Sequence, residues 1–351
     1  MTRPLAAINV LRSTPESVML DKTDNGRFVR DLADRGLSAV VTNMGTFIDG
    51  DSMAFVPRFT DDGVVFEPRA INVANIKTMQ NRVLSPHGRP EAAHIPKLNP
   101  DALKLYAGSK SRMYDEVLAQ YQVETHLIHM DDDTLGDIET ALTLFADERQ
   151  ITVKSDNGTG SKSTRHMDLS ELASYVDMQL KNGNSPNLVV QPRIDFGDLP
   201  QDVTGHTPED QKRVDTTREQ ALLNEVRIMC VKSGDKLTFI PVLRVVMNKE
   251  EAMGGASDTY IDIDISDELL AKLELITADV VRRTTVNAGD IQHAFAAVDF
   301  YFNESGEPRV MEVNMRSPVA PRTDKNPHSG RLMHAAIADT MYDMAEGVAN
   351  E

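Results

Sequence analysis

Near the C-terminus of the sequence a carboxylate, Asp299, sits late in the apolar run HAFAAVDFYF, and Glu312 and Asn314 follow on PRVMEVN in the spacing D-x12-E-x-N. Residues i and i+2 of a strand point to one face, so Glu312 and Asn314 project together. Antiparallel pairing across the turn NESGEP can bring Asp299 opposite them. Two carboxylates and an amide oxygen form a hard-oxygen set suited to Mg²⁺ bridged to phosphate. Carboxylates among apolar neighbours are costly unless paired or metal-bound, which argues against an ordinary surface hairpin. A second constellation is ITVKSDNGTGSKST, a strand ending at Lys154 and running into a loop with Gly158 and Gly160. Glycines let backbone N–H groups approach phosphate oxygens, and Lys154 adds a point charge. The loop is no Walker A sequence, and Ser163 stands where the third glycine of G-x-G-x-x-G belongs. A plain glycine-rich hairpin turn is the competing reading.

The elements that must position these groups can be read in order. The first hundred residues give strands AAINV, LSAVVTN, MAFVPRF and VVFEP, with a helix from Gly26 to Arg35 closed by Gly36. The proline-rich stretch from Ser85 to Pro100 reads as a connection, and Asn99-Pro100 as the N-cap and first residue of a helix running to Gln122. A strand ETHLIHM, a helix Thr134 to Asp147, the strand ITVK, a helix opened by a capping box at Asp168 and Glu171, and the strand LVVQPRI follow. Residues Gly197 to Gln220 are polar and aperiodic, so a long loop, lid or disordered insertion is expected. Then come a hairpin turning at Ser233-Gly234-Asp235, the strand YIDIDIS, a helix Asp267 to Asn287, the two strands carrying Asp299 and Glu312, and a helix from Gly330 to Glu346.

With 351 residues the chain is long enough for two or three packed units, and 40% apolar with 26% charged residues is the composition of a folded globular protein. A net charge of −17 argues against binding nucleic acid or an anionic membrane surface. It leaves room for a nucleotide met by a few converging cations. No apolar run is long enough to span a bilayer and no secretory signal is read, so a cytoplasmic location is expected. The one cysteine, Cys230, reads as a buried small residue. His126 and His129 fall on opposite faces of a strand and read as structural.

At this level the order Lys110, VK-glycine loop, VVQPRI, EVR and D-x12-E-x-N resembles the ATP-grasp superfamily, over Lys110 to Arg316. The resemblance implies an α/β (α+β) fold in which two α/β lobes grip ATP, preceded by an N-terminal α/β domain. The corresponding boundaries are 1–100 for the N-terminal domain, 101–190 for the small lobe with its flap and 191–351 for the C-terminal lobe. It implies nucleotide contacts from Lys110 and Lys154, a flap from Ser155 to Ser163 with Gly158, Gly160 and Ser161 over the phosphates, and an adenine hinge at Gln191, Arg193 and Ile194. The family commonly has glutamate where this chain has Pro192, which removes a backbone donor there. Asp195 or Asp198 would take the ribose. Two Mg²⁺ ions, or Mn²⁺, would be held by Asp299, Glu312 and Asn314. Arg227, with Arg244 on the paired strand, would face the reacting phosphoryl group, and Arg316 would hold a substrate carboxylate.

The activity so implied is ATP-dependent ligation of a carboxylate to an amine through an acyl-phosphate, on an amino acid or short peptide. Alternatives are a ligase modifying a larger peptide or protein, a nucleotide-binding regulatory protein without turnover, and a phosphotransfer enzyme using His166. Partners beyond these substrates are expected to be at most a second copy of the chain.

Overall fold

Alternation of apolar and polar residues along short strands, broken by glycine and proline turns, builds three sheets in this computed structural model. It describes residues 5–10, 22–43, 51–60, 63–72, 75–81, 95–131, 133–156, 164–182, 187–194, 198–219, 223–246, 259–315 and 326–349.

The first sheet has the order β4-β3-β2-β1-β5-β6, from β1 (Leu5–Val10), β2 (Ser38–Asn43), β3 (Asp51–Thr60), β4 (Gly63–Asn72), β5 (Ile76–Asn81) and β6 (Lys97–Leu98). β1 runs parallel to β2 and β5, and helix α1 (Lys22–Asp34) makes the crossover that a parallel pair requires. Gly36, at φ +88°, ends the turn after α1. Ala6 and Ala7 of β1 are fully buried and face opposite ways into separate apolar clusters. The four expected strands are present. β5 and β6 were not expected, because IKTMQN and KL carry neither alternation nor an apolar run.

The second sheet, β7-β10-β8-β9, joins β7 (His126–Ile128), β8 (Gln150–Ser155), β9 (Thr164–Asp168) and β10 (Leu188–Pro192), all antiparallel. Helices α4 (Thr134–Leu144) and α5 (Leu172–Lys181) cover one face, where Ile151, Val153, Leu188 and Val190 meet Ile138, Ala141, Leu172 and Val176. The capping box holds: Glu171 Oε2 accepts from the Asp168 N–H at 3.2 Å. The opposite face carries Gln150, Thr152, Lys154 and Gln191, in step with the pleat.

The third sheet, β11-β14-β13-β12-β15-β16, contains β11 (Val203–Gly205), β12 (Leu223–Ser233), β13 (Lys236–Val246), β14 (Thr259–Ile265), β15 (His293–Phe302) and β16 (Pro308–Asn314). Helix α7 (Asp267–Asn287) packs on one face against Val226, Ile228, Cys230 and Leu243. The other face is divided. Met229, Val231, Ile240, Val242, Phe295 and Ala297 pack with helix α8 (Pro327–Ala349) and with Phe28, Leu32 and Phe55 of the first sheet's unit. Beyond that apolar half the same face turns charged. Among the described residues no helix is long and apolar enough to cross a membrane.

Two expectations are corrected. The segment Asp101 to Gln122 is not one helix but a 3₁₀ turn Asp101–Leu103, the short helices α2 (Lys104–Ala107) and α3 (Lys110–Met113), and a π turn Tyr114–Leu118. Ser109 restarts the helix from extended backbone and accepts the Arg112 N–H at 3.2 Å, while Asn99 is no N-cap: it sits at φ 65° and accepts the Phe295 N–H at 2.6 Å. The stretch from Gly197 to Gln220 is not a loop, since it contains β11 and helix α6 (Pro208–Glu219). α6 lies at the surface and buries only Val214 and Thr217, which leaves no helical period to read. Its start signal was legible: Thr207 accepts the Asp210 N–H at 3.2 Å, with Pro208 at the first helical position.

Candidate functional site

The charged half of the third sheet is built by register. Arg227 on β12 pairs across the strands with Asp299 on β15, Glu225 with Arg244 on β13, and Asp299 with Glu312 on β16. Facing residues share a side of the sheet, so these five groups and Asn314 line one surface. A bulge makes this alignment: Asp299 opposes Glu312 but Phe300 opposes Val310, leaving Met311 as the extra residue. The bulge is held from outside, the Gln122 side chain donating to the Met311 carbonyl at 2.9 Å and the Val310 N–H to the Tyr121 carbonyl at 2.9 Å.

Arg227 is 2% exposed and Asp299 0%. The guanidinium donates to both carboxylate oxygens, Nε to Oδ1 at 2.5 Å and Nη2 to Oδ2 at 2.8 Å, and Nη1 donates to the Tyr260 hydroxyl at 2.7 Å. Burial alone would lower the Arg227 pKa, but the charge and hydrogen bonds of Asp299 outweigh it and hold the group firmly protonated. Asn314 donates to Asp299 Oδ2 at 3.2 Å, and Arg244 reaches within 3.7 Å of the same oxygen while donating to Glu225 Oε2 at 2.7 Å. Glu225 is buried, and that burial, with the nearby charge of Asp299, pushes its pKa up to about 7 against the pull of Arg244 and Arg227.

From the second sheet Lys154 donates to Gln191 Oε1 at 3.0 Å. Lys110, opening α3, donates through Nζ to the Ser155 carbonyl at 3.0 Å. Asp156, just past β8, fastens the two segments: it accepts the Ser111 N–H at 2.7 Å and the Ser109 hydroxyl at 3.1 Å, a carboxylate at a helix N-terminus. Burial lowers the pKa of both lysines. The charge of Glu312 raises both again, and each is also within reach of other site charges: Asp156 for Lys110, and Lys110 and Glu225 for Lys154. Two cations, on and beside the second sheet, therefore share a field with the acidic edge of the third.

Of the residues singled out in the sequence, Lys110, Lys154, Ser155, Gln191, Arg227, Arg244, Asp299, Glu312 and Asn314 belong to these linked clusters. Arg193 is exposed at the end of β10, its side chain bound to Gln150 and its N–H donating to the Gln150 carbonyl at 3.0 Å. Ile194 follows it, half-buried. Asp198 is exposed. Gly158, Gly160, Ser161, Asp195 and Arg316 lie outside the described residues. His166 on β9 meets the Thr152 hydroxyl at 2.9 Å, and His126 and His129 are both engaged by Asp137. The reading of the sequence passed over Glu225, Asp156, Tyr260 and Thr125. Glu225 alone had a clear signal, a second charge two residues before Arg227 in an apolar strand.

Among the described residues no three His, Cys, Asp or Glu side chains come together as a metal cluster. The donor chemistry nonetheless fits one hard cation at the edge of the sheet. Glu312 is exposed, and Asn314, having turned its amide N–H toward Asp299, presents its carbonyl oxygen away from it. Both Asp299 oxygens are taken by Arg227, which places that carboxylate behind the donors.

No protein-family model matches the chain, and no curated protein matches it in sequence. Solved structures do match in fold. The D-cycloserine synthetase DcsG superposes with a TM-score of 0.60 at 12% identity, covering 97% of this chain and 99% of its own. The D-alanyl-alanine synthetase A of Vibrio cholerae O1 biovar eltor gives 0.57 at 12% identity, over 97% and 99%. The macrocyclase MdnC of Microcystis aeruginosa MRC, bound with the precursor peptide MdnA, gives 0.54 at 11% identity, over 96% and 99%. The α/β architecture of this chain is the ATP-grasp ligase fold, spanning nearly its whole length.

Proposed function

We propose that this chain is an ATP-dependent ligase that phosphorylates a substrate carboxylate and joins it to an amine, acting on an amino acid or a peptide. One observation carries the reading: Lys110 and Lys154, both partly desolvated, lie in the field of Glu312 beside a sheet face that presents Arg244, Glu312 and Asn314. Cations on one side and hard oxygen donors on the other are what a magnesium triphosphate requires. The division into an N-terminal domain over 1–100, a small lobe over 101–190 and a C-terminal lobe over 191–351 belongs to the same reading. So does a flap over 155–163.

In this account Lys154 and Lys110 hold phosphate oxygens, and Gln191, Arg193 and Ile194 form the edge where the base rests. Glu312 and Asn314, backed by Asp299, hold Mg²⁺, which when bound neutralises charge on the β- and γ-phosphates. Arg227 holds the Asp299 side chain in place through both of its oxygens. Arg244, partly exposed on the same face, stabilises charge that builds on the transferred phosphoryl group and then on the tetrahedral oxyanion. Arg316, two residues past Asn314, orients the substrate carboxylate. No side-chain nucleophile takes part, and Cys230 is excluded by position: burial on the α7 face pushes its thiol up to about 12.

The solved structures of this fold include a D-alanine-D-alanine ligase and an ATP-grasp ligase in complex with a leader and core peptide, so the acceptor is to be sought among amino acids and peptides. The test is isotopic. A panel of ¹⁸O-carboxylate amino acids and peptides is incubated with MgATP and an amine, and the released phosphate is analysed by mass. Transfer of carboxylate oxygen to phosphate supports acyl-phosphate chemistry, and ADP formation without such transfer contradicts it.

A further inference from the structure

Three side chains on the polar face of the second sheet form a directed hydrogen-bond chain. Register sets them in line: Gln191 on β10 faces Thr152 on β8, Lys154 lies two residues further along β8, and Val190 faces His126, so Gln191 comes beside Thr125 just ahead of β7. Lys154 Nζ donates to Gln191 Oε1 at 3.0 Å, Gln191 Nε2 lies 2.7 Å from Thr125 Oγ1, and the Thr125 hydroxyl donates to the Val123 carbonyl at 3.0 Å.

The proton inventory permits one arrangement. An ammonium only donates, so the amide oxygen of Gln191 must face Lys154, and the amide N–H₂ must then face Thr125. The threonine oxygen accepts that N–H because its own proton goes to Val123. Gln191 is 5% exposed, so a flipped amide would set N–H₂ against the ammonium with no water to relieve it. Pro192 adds to the constraint: the residue before a proline is held extended, which limits the directions open to the Gln191 side chain.

We propose that Thr125 is a positioning residue for the nucleotide: by accepting from the Gln191 amide N–H₂ it anchors that side chain, so that the amide oxygen holds the Lys154 ammonium where it meets phosphate. This rests on the reading of Lys154 as an ATP contact. Valine at 125 keeps the shape but removes the acceptor, so the Gln191 N–H₂ loses this partner and the side chain is no longer anchored where its oxygen grips Lys154. Serine keeps the oxygen and its proton.

Calorimetric titration of MgATP into the full chain, without acceptor substrate, separates the two claims. Lys154→Met tests the underlying contact, and Thr125→Val and Thr125→Ser test the positioning, with thermal unfolding of each measured in parallel. The expected result is a weakening of at least tenfold for Lys154→Met, about tenfold for Thr125→Val, the worth of one hydrogen bond to a charged group, and within twofold of the parent for Thr125→Ser. Thr125→Val binding like the parent while Lys154→Met fails would overturn the positioning role and leave the contact standing. Serine failing as valine does would also overturn it, since the oxygen would not be what matters. Unchanged binding in Lys154→Met would remove the contact and the proposal with it.

Discussion

Arg227 and Asp299 are the most deeply buried opposed charges in the site, and their worth lies in each other. Removing one leaves the other desolvated without its counter-ion, a loss of about 3–5 kcal/mol. Arg227→Met is therefore expected to lower unfolding free energy by about that amount, measured by urea denaturation, and a loss under about 1 kcal/mol would show the pair to be far weaker than its geometry. Glu225 makes a pH prediction. Its folded pKa, pushed up to about 7 from 4.5, means that the folded state holds the proton more tightly than the unfolded one. Its contribution is fully present below about 4.5 and is lost as pH rises through about 7. Glu225→Gln should flatten the fall in stability across that window, and an unaltered slope would assign the proton elsewhere. The sequence discloses Arg227, Asp299, Glu312 and Asn314 because charged and polar residues in apolar strands need a reason. It concealed Thr125 and Tyr260, whose roles depend on partners 66 and 33 residues away.

At the scale of elements, what was legible followed local chemistry. The hairpin turning at Gly234 (φ 58°) and α7 over Asp267–Asn287 read correctly from the turn residues and the apolar period. The break between α2 and α3 did not, because a tertiary contact sets it, Asp156 capturing the start of α3; α6 did not, because its surface face has no period, and Gly205 lets it approach β11 so closely that a Cβ there would lie 2.0 Å from the Gln211 nitrogen. Gly205→Ala should accordingly destabilise the chain by more than the ordinary helix or strand penalty of about 1 kcal/mol, with a lowered melting temperature as the readout. The α8 helix is capped in trans by Asp262 of β14, which accepts the N–H groups of His328 at 3.0 Å and Ser329 at 3.2 Å and the Ser329 hydroxyl. Asp262→Ala leaves those donors buried and should cost about 2–3 kcal/mol in chemical denaturation. A neutral result would mean that α8 is held by its apolar faces alone.

Over the whole molecule, α8 is wedged between the first and third sheets, with Met333, Ile337, Met341 and Met344 in one apolar cluster with residues of both. That wedge fixes the charged half of the third sheet beside its apolar half, while Tyr121 and Gln122, in the segment that leads into the second sheet, hold the bulge that aims Glu312. The resemblance seen in the sequence began at Lys110, yet the fold match takes in nearly the entire chain. The N-terminal sheet carries no chemical motif, and its two parallel partners of β1 are set by burial on both faces, so its likeness of fold shows only in three dimensions. The central claim is that this assembled face uses MgATP on a carboxylate through Glu312. It is tested most directly by measuring ADP release with MgATP across amino-acid and peptide substrates, for the parent chain and Glu312→Ala side by side. Release is expected to depend on a carboxylate substrate in the parent and to fall by at least a hundredfold, about 2.7 kcal/mol of transition-state stabilisation, in the variant. Equal release by both would contradict it.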